Sequence, residues 1–418
     1  MSENSGPRRP RLLVLTSTLP RWLEDPEPRF VLDLACAISH RFETVILAPM
    51  APGSKVREVM EGIDIRRFRY APFRSWECLA APGAIMPNLR GNPWLALLIP
   101  TFFLGQLLAV IKLLRQEKFD AVHCHWIIPQ GLVFRVTSLF VNVPPWLLTC
   151  HGADAFTLNT FPMRVIKRWI LRAAGAITVV SREIGNFLAE EVNHKPWQRG
   201  HHIPMGVDLA LFEPLSGPKQ SDVPIILYVG RLSEKKGIEY LFRALVVEPL
   251  CQRNLQVRIV GNGPLRVPLE QLTHVMGIAD KVFFVGSLPH HKLTAEFAGA
   301  TIFCAPSVVA KSGDREGTPT VLLEAAAAGL PIIASDIGGC GDVVESGHSG
   351  WLVAPGDPNA IADAIVEALD VPGKAKEMAS GVRKKVEGFS WSQIGRRYAE
   401  VIDELFKTAD RFEHERAL

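Results

Sequence analysis

The sequence lacks the patterns that mark disulfide, metal or nucleic-acid chemistry. None of its seven cysteines forms a Cys-x-x-Cys pair, and most lie in apolar runs, which predicts buried free thiols in a reducing compartment. There is no Asp-x-Asp pair, and a net charge of +3 gives no reason to expect nucleic acid as a partner. No short-period repeat is present, which excludes a solenoid.

The first residues also lack the apolar core of a secretory signal, so we expect a cytoplasmic protein. One longer apolar run does occur: residues 91–111 carry no charge, and this length just reaches what spans a bilayer. Because proline, glycine and glutamine interrupt the run, we expect a core helix with a partly exposed first half. That half is expected to contact the inner face of the membrane through residues 94–111. A single membrane span is the alternative.

Two polar clusters have a simpler explanation than a ligand. His123 and His125 alternate in "VHCHW" and would share one face of a strand, but no third or fourth ligand lies nearby. We therefore expect core or pocket histidines and no metal. The stretch 163–173 is basic, and a solvated helix face accounts for it.

Short β-rich runs alternate with helical patterns in both halves, which predicts α/β units with parallel sheets. The runs are almost continuously apolar, as strands covered on both faces by helices are. We therefore expect two doubly wound, Rossmann-like lobes. The predicted strands are "RLLVLTS", "TVILAP", "DAVHCHW", "WLLTCHG" and "AITVVS" in the first half, and "IILYVGR", "QVRIVGNG", "VFFVGS", "TIFCAP" and "PIIAS" in the second.

A stretch rich in proline, glycine, serine and charge, "EPLSGPKQSDVP", separates the halves and is typical of a linker. Lobes of this kind bind ligands at the carboxyl ends of their strands, where the strand order reverses, and two lobes can present these edges across a cleft. The predicted domains are a first lobe over 1–205, a linker over 206–223, a second lobe over 224–388 and a closing helix over 389–418.

Several stretches that follow strands in the second half are predicted to form one anion site. In "YVGRLSEKKG", Arg231 and Lys236 follow Gly230 at a strand end, and a guanidinium with a nearby ammonium suits the two charges of a diphosphate. An exposed loop with routine charges explains this stretch equally well on its own. The turns at Gly263 in "VGNGP" and Leu288 in "FVGSLPHHKL" also follow strands, and the first lacks the third glycine of a dinucleotide fingerprint.

The strongest signal is a pair of glutamates in "GDREGTPTVLLEAAAAGLP". Burying a carboxylate is unfavourable unless something pairs with it or donates to it. Pro319 is predicted in the first turn of a helix, with Glu316 in the preceding loop and Glu324 on the second turn. The N–H groups of the helix start can hold a phosphate, while the carboxylates accept hydrogen bonds from sugar hydroxyls.

In the first half, His151 ends a predicted strand in "LLTCHGAD", where it can face the cleft and bond a substrate hydroxyl. Taken in order, "HGAD", "IPMGVDLALFEP", "VGRLSEKKG" and E-x7-E followed by "AAAAGLPIIASDIGG" resemble the retaining, two-lobed (GT-B) nucleotide-sugar glycosyltransferases of family 4. The resemblance covers nearly the whole chain.

The resemblance implies that Arg231 and Lys236 hold the donor diphosphate, while Glu324 binds the ribose and Glu316 the transferred sugar. It implies that the first lobe takes the acceptor and the second the donor, and that the closing helix packs back on the first lobe. Catalytic roles are thus implied for Glu316, His151, Arg231 and Lys236, and donor contacts for Glu324, Gly230, Gly317, Thr318, Pro319, Leu288 and Gly263.

The reaction implied is transfer of a hexose-type sugar from a UDP- or GDP-linked donor, with retention of configuration, to a glycan or lipid-linked acceptor. Residues 75–94 resemble a subgroup from bacterial exopolysaccharide and lipid-linked glycan assembly. The sequence has no Asp-x-Asp pair to hold a metal ion on the diphosphate, and the resemblance implies that Arg231 and Lys236 neutralise the diphosphate instead. Neither a metal nor another cofactor is therefore expected. The loop after the first strand, "TSTLPRWLEDPEPRF", lacks the Gly-Gly of many relatives. The resemblance therefore assigns no acceptor or phosphate contact to this loop.

Two other functions fit a two-lobed α/β plan. A non-hydrolysing nucleotide-sugar 2-epimerase would need acid and base residues along the cleft, and none is recognisable in this sequence. A catalytically dead scaffold subunit is expected to have lost one of Arg231, Lys236, Glu316 or Glu324, and all four are present. We therefore favour the transferase.

Overall fold

The computed structural model describes residues 8–191, 200–214 and 223–417. The chain divides into two compact units. The first comprises Met1–Val179, Gly185–Ile203 and Ser392–Leu418, and the second comprises Val180–Ile184 and Pro204–Trp391. Each unit contains one sheet with helices packed on it, as expected for Rossmann-like lobes.

The sheet of the first unit has eight strands in the order β3-β4-β2-β1-β5-β6-β7-β8, and only the β3–β4 pair is antiparallel. The five predicted strands are all present. The sequence pattern did not predict β3, β4 and β8. β3 and β8 are the edge strands, where burial is partial, and the inner strand β4 has its apolar run broken by Asp64, Arg66 and Arg67. The strands are β1 (Arg11–Leu15), β2 (Glu43–Pro49), β3 (Arg57–Met60), β4 (Ile63–Phe68), β5 (Ala121–His125), β6 (Trp146–Cys150), β7 (Ala176–Val179) and β8 (Gly200–His202).

Helices connect these parallel strands. They are α1 (Phe30–Ile38), α2 (Ile85–Gly91), α3 (Ile99–Gln116), α4 (Leu132–Thr137), α5 (Ala153–Phe156), α6 (Phe161–Ala173) and α7 (Arg182–Glu191). The helical stretch Pro93–Gln116, which ends with α3, is long and apolar enough to cross a membrane, and only 17% of its most apolar window is buried. The expectation of a core helix was therefore wrong for most of this stretch, which is exposed beyond its first half. α3 buries one face, with Phe102 packed between Phe68 and Tyr70, and exposes Leu104 and Leu108 on another.

The sheet of the second unit is entirely parallel, in the order β11-β10-β9-β12-β13-β14. This is the doubly wound order, in which the chain reverses direction across the sheet between β9 and β12. The five predicted strands are present, and the three-residue edge strand β14 was missed. The strands are β9 (Ile225–Val229), β10 (Gln256–Val260), β11 (Val282–Gly286), β12 (Ile302–Ala305), β13 (Ile332–Ser335) and β14 (Trp351–Val353).

Alternate residues of β9 enter two separate cores, Ile226 and Tyr228 on one face and Leu227 and Val229 on the other. This explains why the strand is apolar without interruption. The helices are α8 (Ile238–Ala244), α9 (Arg266–Val275), α10 (Leu293–Gly299), α11 (Thr320–Ala327), α12 (Cys340–Val343), α13 (Pro358–Asp370) and α14 (Pro372–Val386).

The closing helix α15 (Trp391–Ala417) belongs to the first unit from Ser392 onward. It buries Ile394, Tyr398, Ile402 and Leu405, a helical stripe, and Gly395 lies close to the backbone of α1.

The start of the predicted linker is part of the second unit. Val207 pairs with Ser390, and Phe212 is buried in one of the two cores of that unit. Residues 215–222 of the predicted linker lie outside the described residues.

Candidate active site

The reversal of strand order in the second unit places two functional loops next to each other. β9 and β12 are neighbouring strands, so the segments that follow them leave the sheet side by side. The segment after β9 carries Arg231, Lys235 and Lys236, and the segment after β12 carries Glu316. Residues that are about eighty positions apart in sequence therefore meet at one sheet edge. That they form an anion site stays a prediction.

The carboxylate of Glu316 is held between two lysines. Lys236 Nζ donates to Glu316 Oε2 at 3.1 Å, and Lys235 Nζ lies 3.6 Å from Oε1. Lys235 also lies 3.4 Å from Asp314 Oδ1. Glu316 is 6% exposed, so these two ammonium groups offset the cost of burying its charge.

The charges in this cluster stabilise one another. Burial acts to raise the pKa of Glu316, but Lys236 and Lys235 outweigh that effect and lower it to about 2. Burial acts against the charge of Lys235, yet Glu316 and Asp314 raise its pKa above the ordinary value. Both partners are therefore ionised at neutral pH, and two cations are already in place for an anionic ligand.

Arg231 is half-buried at the start of the segment after β9. Its carbonyl accepts a hydrogen bond from the hydroxyl of Tyr228 at 3.1 Å. Gly230 has a φ of +152°, and a Cβ there would lie 2.9 Å from the same hydroxyl. Glycine therefore allows the chain to turn at the strand end, directly before the arginine.

Close backbone contacts hold this segment in place. A Cβ at Gly237, where φ is +60°, would lie 1.9 Å from the carbonyl oxygen of Pro306, so the segments after β9 and β12 touch. A Cβ at Gly263 would lie 2.4 Å from the carbonyl oxygen of Leu232. The structure thus gives Gly263 a packing role beneath the loop that carries Arg231, and its predicted donor contact stays a prediction.

The backbone before α11 is fixed by the loop after β13. Gly339 N donates to the carbonyl of Gly317, and a Cβ at Gly338 would lie 2.4 Å from the carbonyl oxygen of Glu316. The "GG" of "ASDIGG" is therefore required for close packing, and it holds the peptide groups around Glu316 in one position.

Pro319 occupies the N-cap position of α11, one residue before the first helical residue, Thr320. It was predicted in the first turn and therefore lies one position earlier than expected. Thr318 Oγ1 donates to the carbonyl of Val180 at 2.6 Å, which leaves this hydroxyl engaged within the protein. The backbone N–H groups at the start of the helix are the groups that such a terminus offers to a phosphate.

Glu324 projects from the second turn of α11 and is 7% exposed. Its Oε1 is 3.0 Å from His290 Nε2, whereas Oε2 is buried and has no hydrogen-bond partner among the described residues. His290 was not predicted as a site residue. It lies two positions after Leu288, and Leu288 itself packs against the core. The only signal was the "HHK" that follows β11. One carboxylate oxygen is thus anchored, and the other can accept from a ligand.

His151 belongs to the first unit, whereas the other predicted site residues belong to the second. It follows β6, and its Nε2 is 2.9 Å from His125 Nδ1. The rings of Trp126 and Phe30 pack on it at 4.7 and 5.1 Å. Burial lowers the pKa of His151 to about 3, so the imidazole is neutral at neutral pH and serves as a hydrogen-bonding group.

His123 lies in the core of the first unit, where its Nε2 is 2.7 Å from Thr149 Oγ1. Burial lowers its pKa to about 3. Over the described ranges 8–191, 200–214 and 223–417, no three His, Cys, Asp or Glu residues are grouped to hold a metal ion.

Two Rossmann-like units, one of them with buried glutamates and half-buried lysines where its strand order reverses, are the features of the two-lobed GT-B class. The family model for Glycosyltransferase Family 4 matches residues 28–211, and the model for glycosyl transferases group 1 matches residues 213–385. The chain belongs to the glycosyltransferase family that these two models describe.

Curated relatives and solved structures agree with this assignment. The GDP-mannose-dependent alpha-(1-6)-phosphatidylinositol monomannoside mannosyltransferase of Mycolicibacterium smegmatis is 31% identical over 60% of this chain and 68% of that protein. An uncharacterized glycosyltransferase of Methanocaldococcus jannaschii is 34% identical, but the match spans only 44% of this chain and 45% of that protein.

Among solved structures, sucrose-phosphate synthase from Thermosynechococcus elongatus has a TM-score of 0.76 at 24% identity, covering 96% of this chain and 100% of that one. HepE from Anabaena, in complex with UDP-glucose, has a TM-score of 0.70 at 17% identity, covering 94% and 99%. At these identities the likeness concerns the fold.

Proposed function

We propose that this glycosyltransferase moves a hexose-type sugar from a UDP- or GDP-linked donor, with retention of anomeric configuration, to a glycan or lipid-linked acceptor. The observation that carries the proposal is the cluster of Lys235 and Lys236 on Glu316, together with the buried Glu324 of α11, which has one open carboxylate oxygen. The mycobacterial relative is named as GDP-mannose-dependent and HepE was solved with UDP-glucose, which supports a nucleotide-sugar donor and leaves both bases open.

In this proposal Lys236 and Arg231 neutralise the donor diphosphate and the charge that develops on it as the sugar leaves. A phosphate oxygen that pairs with Lys236 competes with Glu316 for that ammonium. Lys235 then keeps Glu316 ionised, because it reaches the other carboxylate oxygen. Glu316 can accept hydrogen bonds from the transferred sugar without becoming an uncompensated buried charge.

The ribose is assigned to Glu324. His290 holds Oε1 and leaves Oε2 as an acceptor in a buried position, where a hydroxyl donor supplies the missing bond. Neutral His151 is assigned to a hydroxyl of the sugar. Since the cations at the diphosphate come from the chain, the proposed reaction needs no metal or other cofactor.

Donor binding tests this assignment directly. Glu324→Ala is expected to weaken donor binding roughly tenfold, because about two hydrogen bonds of about 0.5–1.5 kcal/mol each are lost. Isothermal titration with a panel of UDP-, GDP- and ADP-sugars measures the change, with and without EDTA. Glu377→Ala, an exposed carboxylate of α14, is the matched control.

Unchanged affinity in Glu324→Ala would contradict the ribose assignment, and binding abolished by EDTA would contradict metal independence. Failure of every donor to bind would favour a scaffold subunit. Turnover of a donor without acceptor to its 2-epimer would favour the epimerase. Product NMR with the identified donor then reports the anomeric configuration.

We also propose that residues 94–111 contact a membrane surface from the cytoplasmic side. Trp94 is 79% exposed and Leu97 is 72% exposed, ahead of the outward Leu104 and Leu108 of α3. Phe102 is a core residue, so it takes no part in the contact.

The double variant Trp94→Ser/Leu97→Ser is expected to reduce vesicle binding at least tenfold. Complete burial of an apolar side chain contributes about 1.5–3 kcal/mol, so half-burial of these two already contributes about 1.5–3 kcal/mol together. Vesicle co-sedimentation measures the loss, and circular dichroism checks the fold. Since the lost contact is apolar, the loss is expected with neutral and with anionic vesicles. Unaltered sedimentation would count against the membrane contact.

A further inference from the structure

Three neighbouring helices of the first unit, α3, α4 and α6, carry positive charge and no acidic residue, as does α2 with Arg90. The whole chain has a net charge of only +3, yet α3, α4 and α6 contain no aspartate or glutamate. Positive charge is therefore concentrated in one part of the unit. The cations on these helices are Lys112, Arg115, Arg135, Arg164, Lys167, Arg168 and Arg172.

The three helices form one layer. Each lies in a connection that runs in the same direction across the sheet, from β4 to β5, from β5 to β6 and from β6 to β7. Connections between parallel strands are right-handed, so all three helices cover the same face of the sheet. In agreement with this, α4 packs against both α3 and α6.

The outer surface of α6 is apolar. Phe161, Val165 and Trp169 recur every four residues, and Phe161 is 79% exposed. At 3.6 residues per turn this line points away from the buried side of the helix, where Ile170 and Leu171 pack. An ordinary solvated helix places polar residues at this position, so the prediction that a solvated face explains 163–173 does not account for the line.

Arginines flank the apolar line. Arg164, Arg168 and Arg172 also recur every four residues, on the side next to it, with Arg164 and Arg172 exposed. Lys167 serves a different purpose, since it is buried and its Nζ donates to the carbonyl of Ala155 at 2.8 Å. The helix thus presents an apolar ridge with a cationic border.

Neighbouring parts of the layer extend this ridge. Leu139 and Phe140, directly after α4, are both more than 60% exposed, and Arg135 lies over the ring of Trp169 at 4.5 Å. Aromatic and aliphatic side chains beside arginines match the boundary between acyl chains and phosphates in a lipid leaflet.

We infer that the α3–α4–α6 layer is a docking surface for an anionic bilayer, with Phe161, Val165 and Trp169 at the level of the acyl chains and the arginines of α6 on lipid phosphates. This deepens the membrane contact proposed for residues 94–111 by adding a second element and naming the lipid charge. It rests on surface residues of the first unit, so it does not depend on the donor assignment.

Charge selectivity tests the inference. The full chain is co-sedimented with phosphatidylcholine vesicles that contain or lack phosphatidylglycerol, at low and at high salt. Arg164→Gln/Arg172→Gln is expected to lower binding to anionic vesicles about thirtyfold at low salt, and to leave binding to neutral vesicles unchanged. Phe161→Ser/Val165→Ser is expected to lower binding to both, and the arginine effect is expected to shrink at high salt.

Lys376→Gln/Lys384→Gln removes the same charge from exposed positions of α14 in the second unit and is expected to have no effect. Equal loss in this control, or equal binding to neutral and anionic vesicles, would overturn the inference. So would concentration-dependent self-association that the Phe161→Ser/Val165→Ser variant abolishes, because a second copy would then cover the ridge. Donor titrations of the same variants keep this result separate from the proposed function, since they are expected to match the unmodified chain.

Discussion

Lys236→Ala is expected to lower turnover about a thousandfold at saturating donor. Removal of one preorganised group that stabilises a developing oxyanion typically costs about 10²–10³ in kcat. Lys236 has a second function, because it donates to Glu316 at 3.1 Å and is the principal cation that lowers the pKa of that carboxyl. The variant therefore loses the diphosphate cation and disturbs the carboxylate that is assigned to the sugar.

Steady-state kinetics with the donor found by titration measures this effect. Lys236→Arg is expected to recover part of the rate, since the charge returns on a larger and flatter group. Lys376→Ala on α14 is the control for loss of a surface lysine. Turnover of Lys236→Ala within about threefold of the unmodified chain would contradict the proposed role, because a charge that stabilises the leaving group contributes far more than that.

Glu316→Gln is expected to lower turnover by about a hundredfold and to change how stability depends on pH. The folded pKa of Glu316 is about 2, against an ordinary value of 4.5. A depressed carboxyl pKa contributes stability that is fully present above the unfolded pKa and is lost as the pH falls through the folded pKa. The stability that Glu316 contributes is therefore lost between about pH 4.5 and about pH 2.

The contribution of this carboxylate at neutral pH is up to about 3 kcal/mol, at about 1.4 kcal/mol for each pKa unit. The difference in unfolding free energy between the unmodified chain and Glu316→Gln is expected to shrink as the pH falls through that range. Hydrogen exchange at β9 and β12 under increasing urea reports it for the second unit alone. A difference that stays constant from neutral pH to pH 3 would show that the lysines do not stabilise the ionised form.

The resemblance to GT-B glycosyltransferases was confirmed, as was the expectation of two Rossmann-like units. Both rested on features that are local in sequence. Strands buried on both faces are continuously apolar whatever their neighbours, so "IILYV" and "WLLTC" could be recognised in isolation. The edge strands β3, β8 and β14 and the charged inner strand β4 could not, because a strand that carries polar residues or is very short resembles a loop.

The sequence by itself determined which segments of the chain carry the candidate site. Glycines, a proline and charged side chains directly after predicted strands marked the loops around Arg231 and Glu316, since ligands of doubly wound sheets bind at strand ends. The E-x7-E spacing is also read from the sequence, and it places Glu316 in the loop before α11 and Glu324 on the second turn of that helix.

Only the tertiary structure decided which groups pair. Lys235 and Lys236 are adjacent in sequence and chemically identical, and their contacts with the two oxygens of Glu316 depend on how the segments after β9 and β12 pack. His290 reaches Glu324 from a different strand end, and no spacing in the sequence encodes that contact. The outward direction of Phe161 on α6 likewise depends on which face of the helix the sheet covers. Periodicity defines a stripe on a helix, but only packing against the sheet decides whether that stripe is core or surface.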